Sequence, residues 1–238
     1  MLDDIRQQVA RDGFARAPAP DMRRMVGEAA LADWPAYARS WNDLAVDQYM
    51  ADNGRYRRRR FATLEARPGD IVRQPHQPHF QSLAYNRLNG GVERWFEPIT
   101  EAVVGLPLSR RVLDLSLDVF GSVAAPDPGF PWRVEMHQFR IESRAGEAGR
   151  PTPEGAHRDG VDWVLVMLVA RENVSAGVTN IFDPAGRSLG DFTLMEPLDA
   201  VFIDDSRVFH GVTAIEAVDP DRPAYRDVLV VTFRRRDR

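Results

Sequence analysis

The chain has 238 residues, 44% of them hydrophobic, with 31 basic against 35 acidic side chains and no cysteine. This length supports one sizeable core, and a net charge of −4 gives no general attraction to nucleic acid or an anionic membrane. The absence of cysteine excludes disulfides and thiolate metal sites, no apolar run reaches membrane-spanning length, and the acidic, amphipathic start is unlike a signal peptide; a single cytoplasmic domain over 1–238 is expected.

Residues 1–60 read as a mainly helical preface packed on the rest. Leu2, Ile5 and Val9 recur at helical spacing, Gly13 is a stop, Phe14 and Ala15 a short strand, and APAP at 17–20 a turn. Asp21 is expected to cap a helix over 22–31, followed by Trp34, Tyr37, Trp41 and Leu44 as packing residues. RYRRRR at 55–60 reads as a solvated turn at a sheet edge, and short strands are expected at 61–64 and 71–73. In PHQPHFQS the prolines keep the chain extended; His76 and His79 have no carboxylate nearby in sequence and make a poor metal site, so His79 is read as shaping a substrate entrance. The stretch 92–104 reads as a buttressing helix.

From Ser109 onward strands dominate. One is expected over 112–121, with Leu113, Leu115 and Leu117 on one side, then a turn in APDPGFP at 125–131. The alternation over 132–141 puts Val134, Met136, Gln138 and Arg140 on one face and Glu135, His137, Phe139 and Ile141 on the other. Gln138 and Arg140 are candidates for holding a bound acid, although the period does not say which face is inward. The loop over 143–155 brings in Glu154, a candidate partner for a substrate ammonium group.

His157 and Asp159 follow, two residues apart at the mouth of the apolar run 161–169, so that an imidazole and a carboxylate share one side of an extended segment. His210, fifty-three residues later, supplies a third ligand. Two imidazoles and a carboxylate suit non-haem Fe(II) with open coordination positions; the same set holds catalytic zinc. Asn180 is a candidate substrate contact and Thr213 a candidate donor to a co-substrate. Arg226, sixteen residues after His210 at the head of RDVLVVTF, would project from a strand into an apolar interior and clamp a carboxylate in bidentate fashion. Arg222, in PDRP, reads as solvated, and the arginine-rich end as a charged tail.

HRDG at 157–160, HGVT at 210–213 and the R-x-x-L-x-x-TF run from Arg226 resemble the 2-oxoglutarate/Fe(II)-dependent dioxygenases. PTPEGAHRDG and FQSLAYNRLNGGVERWFEPI resemble more closely the bacterial branch of free-amino-acid hydroxylases that includes L-isoleucine 4-hydroxylase; the likeness runs from roughly residue 60 to the C-terminus. With the strand patterning, the resemblance implies a mainly β fold with flanking helices, a double-stranded β-helix (jelly roll, cupin-like). It also implies Fe(II) on the catalytic residues His157, Asp159 and His210, and 2-oxoglutarate on Arg226, with Thr213 and Gln138 as further cofactor contacts. O2 would be consumed, with ascorbate helpful in vitro. The implied substrate is a free aliphatic L-amino acid, contacted by Glu154, Arg140, Asn180 and His79. It would be hydroxylated at an unactivated carbon, or oxidised at the sulfur of methionine, with release of succinate and CO2. The rival readings are the same chemistry on a peptide or another metabolite, a zinc hydrolase, and a non-catalytic cupin-like binding protein.

Overall fold

The computed structural model describes residues 1–123, 131–144 and 146–235. The turn expected at 125–131 lies, except for Pro131, outside the described residues, as do the last three residues of the charged tail.

Helix α1 (Leu2–Asp12) buries Ile5 and Val9 and ends at Gly13, whose left-handed φ of 82° a side chain would resist. Strand β1 (Phe14–Ala17) follows. The APAP segment is not a plain turn: Pro20 sits in the first turn of α2 (Ala19–Val26), where its missing N–H costs nothing. Gly27 then separates α2 from α3 (Glu28–Leu31), so the helix expected over 22–31 is two helices. Helix α4 (Trp34–Arg39) and a 3₁₀ turn over Ser40–Asp43 complete the preface.

The RYRRRR block is not a solvated turn. After a two-residue strand β2 (Ala45–Val46), it opens β3 (Arg57–Arg67), inside the main sheet, with Arg57 and Arg59 buried. Strand β4 (Asp70–Arg73) returns from the expected turn. Of the helix expected over 92–104 only α5 (Glu101–Gly105) forms, capped by Thr100, because Pro98 holds the chain before it extended. The strand expected over 112–121 is also overturned: α6 (Pro107–Val123) is a helix. Leu108, Val112, Leu115 and Val119 recur at helical spacing, and burial all round, including Leu113 and Leu117, imitated an alternating pattern.

The remaining strands are β5 (Trp132–Ser143), β6 (Trp163–Glu172), β7 (Val174–Ala176), β8 (Val178–Phe182), β9 (Ser188–Thr193), β10 (Ala200–Asp204), β11 (Phe209–Val212), β12 (Ile215–Ala217) and β13 (Ala224–Arg235). They form three open sheets. The largest has the order β1-β10-β6-β13-β5-β3-β2, with β4 on β3; the others are β11-β8-β9 and β12-β7. The expected jelly roll is therefore corrected to a mixed α/β fold in which no closed barrel is found among the described residues. Positive φ at Asn173, Ala176 and Gly177 turns the chain sharply off β6, so that β7 and β8 pair with β12 and β11 and their ladders stay separate from the main sheet. Alternation records which residues share a face, and says nothing of which strands pair.

One face of the main sheet (Leu64, Val134, Met136, Leu165, Leu229, Val231 and Phe233 among others) is covered by the helices. Its other face packs through Val164, Val201 and Ile203 on Ile181 of the three-stranded sheet. No helix among the described residues is long and apolar enough to cross a membrane.

The preface is fastened where Trp41, fully buried, donates its Nε1–H to the carbonyls of Phe139 (3.1 Å) and Val228 (3.3 Å) on β5 and β13. Trp41→Ala is expected to cost roughly 3–5 kcal/mol, and Trp41→Phe about 1–3 kcal/mol through the orphaned carbonyls. Urea unfolding checks both; an Ala variant within about 1 kcal/mol of wild type would show that this anchor contributes little.

Candidate active site

A cavity of about 730 Å³ lies between the main sheet and the three-stranded sheet, within the ~300–1,000 Å³ range of small-molecule sites. Arg57, Arg59, Glu135, His137, Val228 and Val230 face it from the main sheet, and His210 and Val212 from β11. The inward face of β5 is thus the one carrying Glu135, His137, Phe139 and Ile141.

His157, Asp159 and His210 meet at this cavity, with one ligand atom of each lying within 4.8 Å of the others. The backbones of His157 and His210 bond to each other in both directions, each at 2.9 Å, so the two histidines form a rigid bridge. His157 Nδ1 lies 3.1 Å from the Gly155 carbonyl, which fixes the proton on Nδ1 and leaves Nε2 facing the other ligands. Nε2 of His157 is 3.6 Å from Asp159 Oδ1, and Nε2 of His210 is 3.5 Å from Asp159 Oδ2. Burial works against the Asp159 charge, but the two imidazoles facing it prevail and hold the carboxyl well below its usual range. Burial likewise opposes a proton on His157, yet Asp159 and then Glu154 raise it to about 9. Two nitrogens and a carboxylate converging on one point form a donor set that fits a divalent cation such as Fe(II).

Asp205, absent from the expectations, holds this group together. Its carboxylate accepts the backbone N–H groups of Asp159 (2.9 Å), Gly160 (2.8 Å) and Val161 (3.2 Å), and Oδ1 lies 3.9 Å from His210 Nδ1. The signal in sequence was a second aspartate directly after an apolar strand, a place where a carboxylate is seldom free. Gly160 has φ +78°, and a Cβ there would meet the Tyr85 ring at 2.5 Å, so glycine is required on both counts.

Arg226 lines the same cavity and is 2% exposed. Burial, then the neighbouring Arg171, lowers its pKa to about 10, so it stays charged at neutral pH. Its Nε and Nη2 are buried without a hydrogen-bond partner, a cradle that fits the far carboxylate of 2-oxoglutarate.

Glu154 and His79 also line the cavity. Four other candidates do not. Gln138 and Arg140 lie on the opposite face of β5, where Gln138 donates to Ser40 Oγ at 2.7 Å and Arg140 binds Asp227 in bidentate fashion at 2.8 and 2.7 Å. Asn180 stands opposite Gly211, on the outward side of the three-stranded sheet, and Thr213 is exposed with its hydroxyl accepting the Val178 N–H. The inward neighbours that Asn180 and Thr213 obscure are Thr179 and Val212. His76 and His79 diverge, His76 being exposed.

His79 instead joins Glu135 and His137 in a second group with ligand atoms within 4.8 Å. Its atoms are engaged by protein donors: His79 Nδ1 is 2.8 Å from Glu135 Oε2, Arg133 donates to Glu135 Oε1 at 3.0 Å, and Arg59 Nη2 donates to His137 Nδ1 at 2.7 Å. Desolvation and the adjacent Arg59 push the His137 pKa well down. With arginines on this side, it is a poor place for a cation.

A model of the 2OG-Fe dioxygenase family matches residues 38–232. L-isoleucine-4-hydroxylase from Bacillus thuringiensis is 26% identical over 165 residues, covering 69% of this chain and 68% of that protein. 3(1)-hydroxy-L-isoleucine 4-dioxygenase from Pantoea ananatis is 24% identical over 239 residues, covering 96% and 94%. Among solved structures, a bsmA homologue from Methylobium petroleophilum PM1 superposes with a TM-score of 0.88 at 36% identity, covering 98% of this chain and 93% of that one. The match over most of the chain, on a site whose donors suit Fe(II) and whose buried arginine suits 2-oxoglutarate, makes this protein a member of the 2OG-Fe dioxygenase family, an enzyme that uses Fe(II) and 2-oxoglutarate.

Proposed function

We propose that the enzyme hydroxylates an unactivated carbon of a free aliphatic L-amino acid, with His157, Asp159 and His210 holding Fe(II) and Arg226 holding the distal carboxylate of 2-oxoglutarate. The observation that carries this reading is a three-donor centre and an unpaired buried guanidinium in one cavity. The names of the two curated relatives, each an oxygenase of isoleucine or of its hydroxylated form, support the substrate class.

Bound there, Fe(II) and 2-oxoglutarate supply the chemistry that couples decarboxylation to insertion of one oxygen atom from O2, leaving succinate and CO2. The chain contributes placement. The Gly155 carbonyl keeps Nε2 of His157 directed at the metal position, Asp205 holds the Asp159 segment, and the paired backbones of His157 and His210 fix the spacing of two ligands. Val166, Val212, Val228 and Val230 give the cavity apolar walls that exclude water and shape the aliphatic side chain's seat. No side chain of the cavity would be required as a general base, because the bound metal and co-substrate would supply the oxidation.

The direct test is succinate release with Fe(II), ascorbate and 2-oxoglutarate across the free L-amino acids, read with product masses. One or a few aliphatic amino acids should stimulate it and gain one oxygen atom; succinate without such stimulation would reject the substrate class. Arg226→Ala should raise the 2-oxoglutarate requirement by about 100-fold with little change in that for the amino acid. An unchanged requirement would move the anchor elsewhere. Because His157 is protonated below about 9 in the metal-free protein, metal binding at neutral pH must displace that proton. Affinity for Fe(II) or Mn(II) should therefore climb as pH rises toward about 9 and then level. Calorimetry in two buffers of different ionisation heat should count close to one proton released at pH ~7; none released would contradict the charged state of His157.

A further inference from the structure

Part of the cavity wall is left unused by this chemistry. Arg94 lines the cavity and is 1% exposed. Its backbone is pinned to His79 in both directions, at 2.9 and 3.0 Å. Its Nη2 donates to Gln81 Oε1 at 2.9 Å, while its Nε is buried without a hydrogen-bond partner. Gln81 in turn donates through Nε2 to Asp159 Oδ1 at 3.2 Å, so two hydrogen bonds separate this guanidinium from the Asp159 carboxylate.

The neighbouring arginines each have a partner of their own, although Arg57 Nη2 and Arg59 Nε are also buried without a hydrogen bond. Arg57 is paired with Asp47 at 2.8 and 2.7 Å, and Arg133 with Glu135. Arg59 is stacked between Phe96 and Phe139, at 3.7 and 4.3 Å from the ring centres, and donates to His137. None of the ion pairs among the described residues includes Arg94. Burial and then the charge of Arg57 lower its pKa, outweighing the carboxylates of Asp47, Glu154 and Glu135, none of which forms an ion pair with it. A buried guanidinium with an unpaired Nε–H and no carboxylate on it can take a carboxylate oxygen.

A complementary group faces the same cavity. Glu154 has a buried Oε2 without a hydrogen-bond partner, and its Oε1 lies 3.7 Å from His157 Nε2. One cavity thus carries an unpaired cationic donor and an unpaired anionic acceptor, in addition to Arg226.

We infer that Arg94 is the seat of the substrate's α-carboxylate and that Glu154 receives its ammonium group. The pair selects free α-amino acids against amides and against residues within a peptide. This inference rests on the amino-acid reading above and names the contacts that enforce it. Carboxylate and ammonium fix the backbone end of the substrate, and the aliphatic side chain is left to reach the metal centre.

The test is calorimetric titration of the protein loaded with Mn(II) and 2-oxoglutarate, using the amino acid that gives most succinate and its C-terminal amide. Wild type should bind the acid roughly ten- to a hundred-fold more tightly than the amide. Arg94→Gln should bind both at the amide's level, and Arg94→Lys should keep part of the preference; 2-oxoglutarate binding measured on each variant reports whether its site has folded. Equal binding of acid and amide by wild type, or a preference undiminished in Arg94→Gln, overturns the seat and leaves the amino-acid reading standing. If no amino acid binds or raises succinate in wild type, that reading falls and the seat falls with it. Should Arg94→Gln not bind 2-oxoglutarate, the acid-to-amide ratios of wild type and Arg94→Lys decide: equal ratios overturn the seat, and a smaller ratio in Arg94→Lys supports it.

Discussion

The site depends on one buried carboxylate that is not itself in the ligand set. Asp205 is 1% exposed, and burial together with the nearby Asp159 charge pushes its pKa up to about 6. Three backbone N–H groups of the 159–161 segment offset that cost, and its own N–H donates to the Asp162 carbonyl at 3.0 Å. Two segments far apart in sequence, one carrying Asp159 and the other leading to His210, therefore meet with a fixed offset. A flexible loop could carry the same three ligands and would not hold them at one spacing.

The cavity wall shows how a folded chain keeps charge ready for ligands. Most buried charges here have partners: Arg57 with Asp47, Arg140 with Asp227, His79 with Glu135. Against that background the unmatched atoms stand out, since leaving a buried charged group without a hydrogen bond is expensive. Nε and Nη2 of Arg226, Nε of Arg94 and Oε2 of Glu154, together with Nη2 of Arg57 and Nε of Arg59, belong to residues that line one cavity. On the proposed reading, a bound molecule would bring the missing partner and so offset that cost.

Legibility in the sequence divides along physical lines. That His157, Asp159, His210 and Arg226 meet at one cavity could be read because each is a residue type with few alternative uses in its context: a metal-ligating spacing, or a guanidinium at the head of an apolar strand. The alternation of β5 was also legible, and it grouped Glu135 with His137 and Gln138 with Arg140 correctly. Which group faced the cavity was not, because helices cover the other side, and helices belong to distant parts of the chain. Gln138 and Arg140 were candidates for that reason alone. The same limit hid Arg57 and Arg59, whose neighbours Arg58 and Arg60 do pair with acidic residues toward solvent. Strand pairing, and with it the open three-sheet arrangement, is set by turns such as the one at Asn173–Gly177, which no face pattern records.

Four of the five histidines, His79, His137, His157 and His210, line one cavity, and they divide between two electrostatic settings. Around His157 the carboxylates of Asp159 and Glu154 overcome burial and its pKa rises; around His137 burial, and then the charge of Arg59, lower it. The first setting suits a cation; in the second, Glu135 is already matched by His79 and Arg133, and arginines oppose any further cation. The cavity is thus polarised by the residues that surround its imidazoles. On the proposed reading, an amino acid entering it would meet opposite charge at its two ends, and the apolar walls would then sort aliphatic side chains by about 1–3 kcal/mol per methylene. The charged groups decide which chemical class enters, because an uncompensated charge in a buried site excludes molecules lacking its partner far more strongly than a misplaced methyl group does.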